Sequence, residues 1–342
     1  MQKVNTTKKQ VHSLGRLFTW IMIVSLVLSG CAGAAPKVYH VGVLSGLSAF
    51  APALDGFKAK MTELGYIEGK NIIYDVKSTE VDIDAYKSIT KKFVADKVDM
   101  IFVFPTEAAM EAKAATAGSN IPVVFTLSFT DVSGVNLIKS IREPGDNITG
   151  VRFPSADIAS KRLQILLEAA PNTKRVFIPY LKGYPNVPGQ LEVLKPQAES
   201  AGVELVEVAA GSPDELQVAL DKQATSVDAN TDAILMIAEP LGITPPFYNI
   251  LGKFSYQHKI PIGGALMTTP EGNNSIFGLL PDAKNCGEQA ALLADKIFKG
   301  SPAGSIPVVT AESTFKINNS AATNLGITLP DSLLKQADEV IR

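Results

Sequence analysis

The sequence predicts an α/β protein of two similar lobes, each a parallel sheet with helices on both faces. Three observations point there. Short apolar strand-like runs alternate with helical stripes, the pattern of βαβ units. The rhythm stops at a turn cluster, Glu143-Pro144-Gly145-Asp146-Asn147, and then restarts. The chain has 342 residues, enough for two domains of about 150 residues once an N-terminal segment is set aside.

The first strand is residues 38–44, ending in Ser45-Gly46-Leu47-Ser48. Leu54, Phe57, Met61 and Leu64 then recur at helical spacing, and Gly65 ends that helix. Residues 71–78 read as a strand, and Ile83, Tyr86, Ile89 and Phe93 mark the next helix. Residues 99–104 are a buried strand, Pro105-Thr106-Glu107 opens an alanine-rich helix, and 121–127 is another apolar strand. After the less regular stretch 131–151, the first passage between lobes is placed near Phe153 and Pro154. Beyond it come helix 158–167, strand 175–180, helix 190–201 and strand 204–209. Ser212-Pro213-Asp214-Glu215 combines a capping box with proline at the first helical position. Strand 232–238, helix 247–258 and strand 260–265 follow. In the tail, 275–280 and 314–317 read as strands, and 287–299 and 330–341 as helices. A tail of that length is too short for a third lobe, so it is expected to complete the first two.

The N-terminus reads differently. Lys3, Lys8, Lys9 and Arg16 precede an apolar run, residues 17–28, with no acidic residue among them. This is the make-up of a secretory signal peptide, and the run is shorter than the roughly 20 residues a membrane span needs. It ends in Leu28-Ser29-Gly30-Cys31, which resembles the lipobox of bacterial lipoproteins. That resemblance implies cleavage after residue 30 and a diacylglyceryl group on Cys31, with acyl chains such as palmitate holding the protein to the membrane. Residues 31–36 then form a short tether. Loss of the four basic side chains takes the formal charge from −2 to −6. No cluster of Lys and Arg suggests a nucleic-acid partner. With Cys31 acylated, Cys286 has no disulfide partner and reads as a half-buried cysteine at a helix start.

Catalytic patterns are missing. The sequence has no G-x-S-x-G, H-E-x-x-H, C-x-x-C, P-loop or G-x-G-x-x-G motif. Its histidines, His12, His40 and His258, are scattered, so neither a metal site nor a cofactor is expected, and the reading is not that of an enzyme. What remains is the loops at strand C-terminal ends, where open parallel sheets bind ligands and helix N-termini present free N–H groups. The candidates are Ser45, Ser48, Thr106, Ser128, Thr130, Tyr180, Tyr184, Glu239 and Ala265. Hydroxyls and N–H groups at these points would fix an anionic group such as a carboxylate. Tyr180 and Tyr184 would stack on an aromatic or apolar body, and Glu239 would pair with an amine.

From about residue 38 to 341 the chain resembles the lipoprotein substrate-binding components of ABC transporters, in the branch associated with tryptophan and tyrosine. The resemblance rests on Gly56-Phe57, Leu64-Gly65-Tyr66 and Glu68-Gly69-Lys70-Asn71, then Ile121-Pro122-Val123-Val124-Phe125 and the stretch from Asp131 through Arg142-Glu143-Pro144-Gly145-Asp146-Asn147-Ile148-Thr149-Gly150. It continues with Lys161-Arg162-Leu163, Pro171-Asn172-Thr173-Lys174-Arg175-Val176, Ile297-Phe298-Lys299-Gly300, Asn324-Leu325-Gly326-Ile327-Thr328-Leu329-Pro330 and Ala337-Asp338-Glu339-Val340-Ile341. It implies the type I periplasmic binding protein fold: two Rossmann-like lobes joined by three crossovers, closing on ligand by hinge bending. By that likeness the first lobe takes residues 37–153 and 271–305, and the second 154–270 and 306–342. Two positions depart from the family. Relatives often carry Thr-Asp-Asn where Ala238-Glu239-Pro240 stands, and Tyr-Gly-x-Asp-Tyr where Phe277-Gly278-Leu279-Leu280-Pro281-Asp282 stands. The implied function is capture of a small polar or aromatic, amino-acid-like solute. A monomeric, extracytoplasmic, lipid-anchored protein would then deliver it to a permease with a cytoplasmic ATPase. An alternative is a sensing module that presents the solute to a membrane signalling receptor.

Overall fold

The computed structural model describes residues 37–130 and 137–342. The signal segment and the whole tether, Cys31 included, lie outside the described residues, as does Asp131. The first lobe begins β1 (Tyr39–Ser45), α1 (Pro52–Glu63), β2 (Ile72–Ser78), α2 (Ile83–Ala95), β3 (Met100–Phe104), α3 (Thr106–Ala115), β4 (Val123–Ser128) and β5 (Ile148–Arg152). The second runs α4 (Ser155–Ala169), β6 (Arg175–Leu181), α5 (Val187–Ser200), β7 (Glu204–Ala210), α6 (Pro213–Gln223), β8 (Asp232–Leu235), α7 (Pro245–His258), β9 (Ile262–Gly264) and β10 (Phe277–Pro281). The tail adds α8 (Ala283–Phe298), β11 (Val309–Thr310), β12 (Ser313–Asn318), α9 (Asn319–Asn324), α10 (Asp331–Gln336) and β13 (Glu339–Ile341).

Local chemistry explains the element starts. Asp82 caps α2 by accepting the Ala85 N–H at 3.0 Å, and Tyr86, Thr90 and Phe93 form its buried stripe. Ser212 caps α6 through the Glu215 N–H, while the Glu215 carboxylate reaches back to the Gly211 N–H at 2.9 Å. The strand β3 is buried at every position, as a parallel strand covered on both faces must be.

Two α/β lobes result. The first sheet has the order β11-β5-β4-β3-β1-β2 and is parallel throughout. The second has the order β13-β12-β10-β9-β8-β6-β7, with one antiparallel pair, β10 with β12. The chain leaves the first sheet at Phe153–Pro154. The other two crossings differ from the expected boundaries. Residues 271–281 stay with the second lobe, because Phe277 and Gly278 pair with Gly263 and Gly264, so the chain returns only at Asp282. Residues 306–310 stay with the first lobe, because Val309 and Thr310 pair with Val151 and Arg152, so the last crossing falls at Ala311–Glu312.

The returning helix α8 docks tightly on α1. A Cβ at Gly287 would collide with the Ala53 carbonyl, and one at Gly56 with the Lys284 carbonyl. Only glycine lets these backbones approach so closely. Cys286 on the same helix is fully buried, not half-buried, and burial pushes its thiol up to about 12, which leaves it unreactive. The helix expected at 330–341 ends at Gln336 instead. Asp338 accepts the Phe315 N–H at 2.7 Å, and Glu339–Ile341 becomes an edge strand beside Lys316–Asn318. The strand β5 begins inside the less regular stretch 131–151 and runs one residue past it. Gly150 there sits against the Phe125 carbonyl, where a side chain has no room.

Candidate functional site

Loops at the C-terminal ends of both sheets enclose a cavity of about 540 Å³ between the lobes, within the range of small-molecule sites. The first lobe contributes Leu47 after β1, Pro105 after β3, Leu127 and Phe129 at the end of β4, and Phe153 after β5. The second contributes Leu181 at the end of β6 and Tyr184 after it, residues 237–240 after β8, Phe247 of α7, and Leu280 and Pro281 of β10. Phe129 and Phe153 stack on each other with ring centroids 5.6 Å apart. The wall is thus apolar and aromatic, with Glu80, Glu107, Arg162 and Glu239 as its charged members.

Arg162 comes from α4 and is 1% exposed. Its Nε and Nη2 donate to the Leu279 carbonyl at 3.1 and 2.9 Å, and its Nη1 donates to the Met236 carbonyl at 2.9 Å. Burial pushes the guanidinium down to about 9, partly offset by the charge of Glu239. Glu239 is 5% exposed. Its Oε2 accepts the Leu181 N–H at 3.3 Å, and the N–H groups of Leu241 and Gly242 also favour its charge. Its Oε1 is buried with no hydrogen-bond partner among the described residues. Burial raises this carboxyl to about 7 against the pull of those N–H groups and Arg162. The turn that carries it is pinned from α5. Asn186 and Gln190 donate to the Ala238 carbonyl at 2.6 and 3.1 Å, and the Ala238 N–H donates to Gln190 Oε1 at 2.7 Å.

Among the described residues, a hydrogen bond spans the cleft. The Tyr184 hydroxyl of the second lobe donates to Glu107 Oε1, at the start of α3 in the first, at 2.8 Å. Burial and the Glu107 carboxylate hold the Tyr184 phenol well above its ordinary range.

Of the nine sequence candidates, Tyr184 and Glu239 line the cavity. The others are not part of its lining. Ser45 is buried at the end of β1. Ser48 opens a short turn, with its N–H 3.4 Å from Glu80 Oε2. The Thr106 hydroxyl accepts the Phe129 N–H at 2.9 Å, and Ser128 donates to the Thr126 carbonyl at 2.9 Å. Thr130 is half-buried and outside the lining. Tyr180 donates to Glu207 Oε2 on the neighbouring strand at 2.7 Å. Ala265 is enclosed in the second-lobe core, where its carbonyl accepts from Ser275. Sequence reasoning missed Arg162 and Phe129. The signal for Arg162 was a basic residue on the apolar stripe that contains Ile158, Ala159, Leu163 and Leu166. Among the described residues no group of three His, Cys, Asp or Glu is placed to hold a metal ion, and no helix is long and apolar enough to cross a membrane.

The chain is similar to several known proteins. Residues 41–341 match the family model described as ABC transporter substrate binding protein. A tyrosine-binding protein of Clostridioides difficile is 29% identical over 279 residues, spanning 78% of this chain and 75% of that protein. Among solved structures, a conserved domain protein of Vibrio cholerae matches with a TM-score of 0.76 and 28% identity, over 89% of this chain and all of that one. The ABC domain of Streptococcus pneumonia in complex with L-Trp matches with a TM-score of 0.77 and 25% identity, again over 89% of this chain and all of its own.

Proposed function

The chain belongs to the ABC transporter substrate-binding protein family, and from that premise we propose that it captures one small, largely apolar or aromatic solute between its lobes for an ABC importer. The observation that carries this reading is the cavity of about 540 Å³ walled by aromatic side chains from both lobes. The similar proteins described with tyrosine and L-Trp support an aromatic body. In this reading Tyr184 and Glu239 touch the solute, hinge bending at the three crossings closes the lobes, and the closed form docks on a permease driven by a cytoplasmic ATPase. The protein acts as a monomer outside the cytoplasm without turning its solute over, and a lipid on Cys31 holds it at the membrane.

The cleft is tested with residues 32–342, which contain the whole described structure. A solute in hundredfold excess over its dissociation constant raises stability by about 2.7 kcal/mol, readable by thermal shift across a metabolite panel and by native mass spectrometry. If Phe129→Ala and Tyr184→Ala leave the affinity of an identified solute unchanged, the solute does not sit in this cavity. The anchor is tested apart from it: Cys31→Ser should move the protein from the membrane to the soluble fraction, and retention would rule the lipid out.

A further inference from the structure

We infer that the cavity selects an apolar or aromatic solute carrying one protonated amine and no carboxylate, with Glu239 as the counter-ion of the amine. This rests on the reading that the solute occupies the inter-lobe cavity.

The first ground is the state of Glu239. A carboxylate oxygen that is buried and unpaired costs free energy, because it has left water without gaining a donor. Oε1 of Glu239 is such an oxygen among the described residues, and the residue lines the cavity. An ammonium group supplies the missing N–H donors together with the missing charge, and charge-assisted bonds of this kind are short and strong.

The second ground is that several N–H groups a carboxylate would use are already taken. In open parallel sheets, free N–H groups beyond the strand ends are the usual anion holders. Several of them are engaged here. The Gly46 N–H donates to the Phe104 carbonyl, and the Ser48 N–H lies 3.4 Å from Glu80. The Phe129 N–H donates to Thr106 Oγ1. After β8, the Ala238 N–H is taken by Gln190 and the Glu239 N–H by the Ile237 carbonyl. Pro240 has no N–H.

The third ground is the balance of charge. Three carboxylates and one guanidinium line the cavity. Three of the five N–H groups of that guanidinium already donate to the Met236 and Leu279 carbonyls. A solute carboxylate would face Glu80, Glu107 and Glu239, with the single guanidinium already held by the Met236 and Leu279 carbonyls. A monocation meets no such opposition.

The test is calorimetric titration of the purified full-length protein with tryptamine and tyramine, with L-tryptophan and L-tyrosine, and with neutral indole. Both amines should bind at least tenfold more tightly than the matching amino acids and than indole, since a hydrogen bond to a charged partner corresponds to about ten- to hundredfold. Glu239→Gln should close the gap between tryptamine and indole. Its circular dichroism and urea midpoint show that the variant is folded. Amino acids binding as tightly as the amines, or an amine preference that survives Glu239→Gln, would overturn the inference. If the amino acids bind and Phe129→Ala weakens them, the cavity reading stands and only the solute class falls. Binding by none of the probes overturns the amine class. A solute identified by other means and indifferent to Phe129→Ala then overturns the cavity reading as well.

Discussion

Replacing Glu239 by glutamine should make the ligand-free protein more stable at alkaline pH and change it little at acid pH. Burial raises the folded-state carboxyl from 4.5 to about 7. Between those values the folded state binds the proton and the unfolded chain does not, so stability falls as pH rises. The contribution of the neutral acid is complete below pH 4.5 and is lost through pH 7. At roughly 1.4 kcal/mol per pH unit, that gap corresponds to about 3 kcal/mol. Most of it is lost between pH 5 and pH 8. Glutamine keeps the size of the side chain and an oxygen for the Leu181 N–H, but it has no charge to bury. Urea unfolding of the wild type and of Glu239→Gln, measured without ligand at several values from pH 5 to pH 8, reads the difference directly. The variant should gain on the wild type steadily across that window. Parallel stability curves would mean that Glu239 is not held in a desolvating site, and the account of the cavity's charge would fail with it.

Three other perturbations follow from the same structure. Arg162→Met leaves the Met236 and Leu279 carbonyls buried without this donor, so it should cost about 3 kcal/mol in urea unfolding of the second lobe. An unchanged midpoint would show that water replaces the guanidinium. Tyr184→Phe removes the hydrogen bond to Glu107 across the cleft and should shift the ligand-free protein toward open forms by about 1.5 kcal/mol, seen as a larger radius of gyration in solution scattering. Gly287→Ala forces a methyl group into the Ala53 carbonyl and should destabilise the first lobe by about 3 kcal/mol, whereas Gly183→Ala, whose Cβ would meet open space, should cost less and through its positive φ alone.

The alternation of strand and helix was legible because its signal is local. Tyr86 and Phe93 mark one helix face without reference to anything distant, and Ser212 caps α6 from three residues away. The crossings were not legible because sheet membership is a long-range property. Nothing within Phe277–Pro281 says that it joins β9 rather than the first sheet, and Val309–Thr310 is too short to carry any signal of its own. The end of the chain shows the same limit, since Glu339–Ile341 is a strand only because the edge of β12 is free to receive it. For the cavity, the strand-end rule reached Tyr184 and Glu239, but it named loops and not directions. Tyr180 is four residues from Tyr184, yet its hydroxyl turns to Glu207 on the sheet. The hydroxyls of Thr106 and Ser128 are used inside their own loops. Arg162 escaped because a helix midpoint is not a strand end, although a charged side chain within an apolar stripe requires buried partners.

The cavity's two central charges are built into the fold to different depths, and this decides which is the cleaner probe of binding. Arg162 stands on the first helix after the first crossing, and its guanidinium ties Met236, just beyond β8, to Leu279 in β10. Leu279 lies three residues before the chain returns to the first lobe at Asp282. Any change at Arg162 loosens both strand ends and disturbs a crossing, so a loss of affinity there mixes contact, packing and closure. Glu239 takes only N–H groups from neighbouring loops, and its turn is fixed independently by Asn186 and Gln190 through Ala238. Glutamine can accept the same N–H groups. A change in affinity at Glu239→Gln therefore reports on the charge itself, and the ratio between charged and neutral solutes separates that from any residual movement of the lobes.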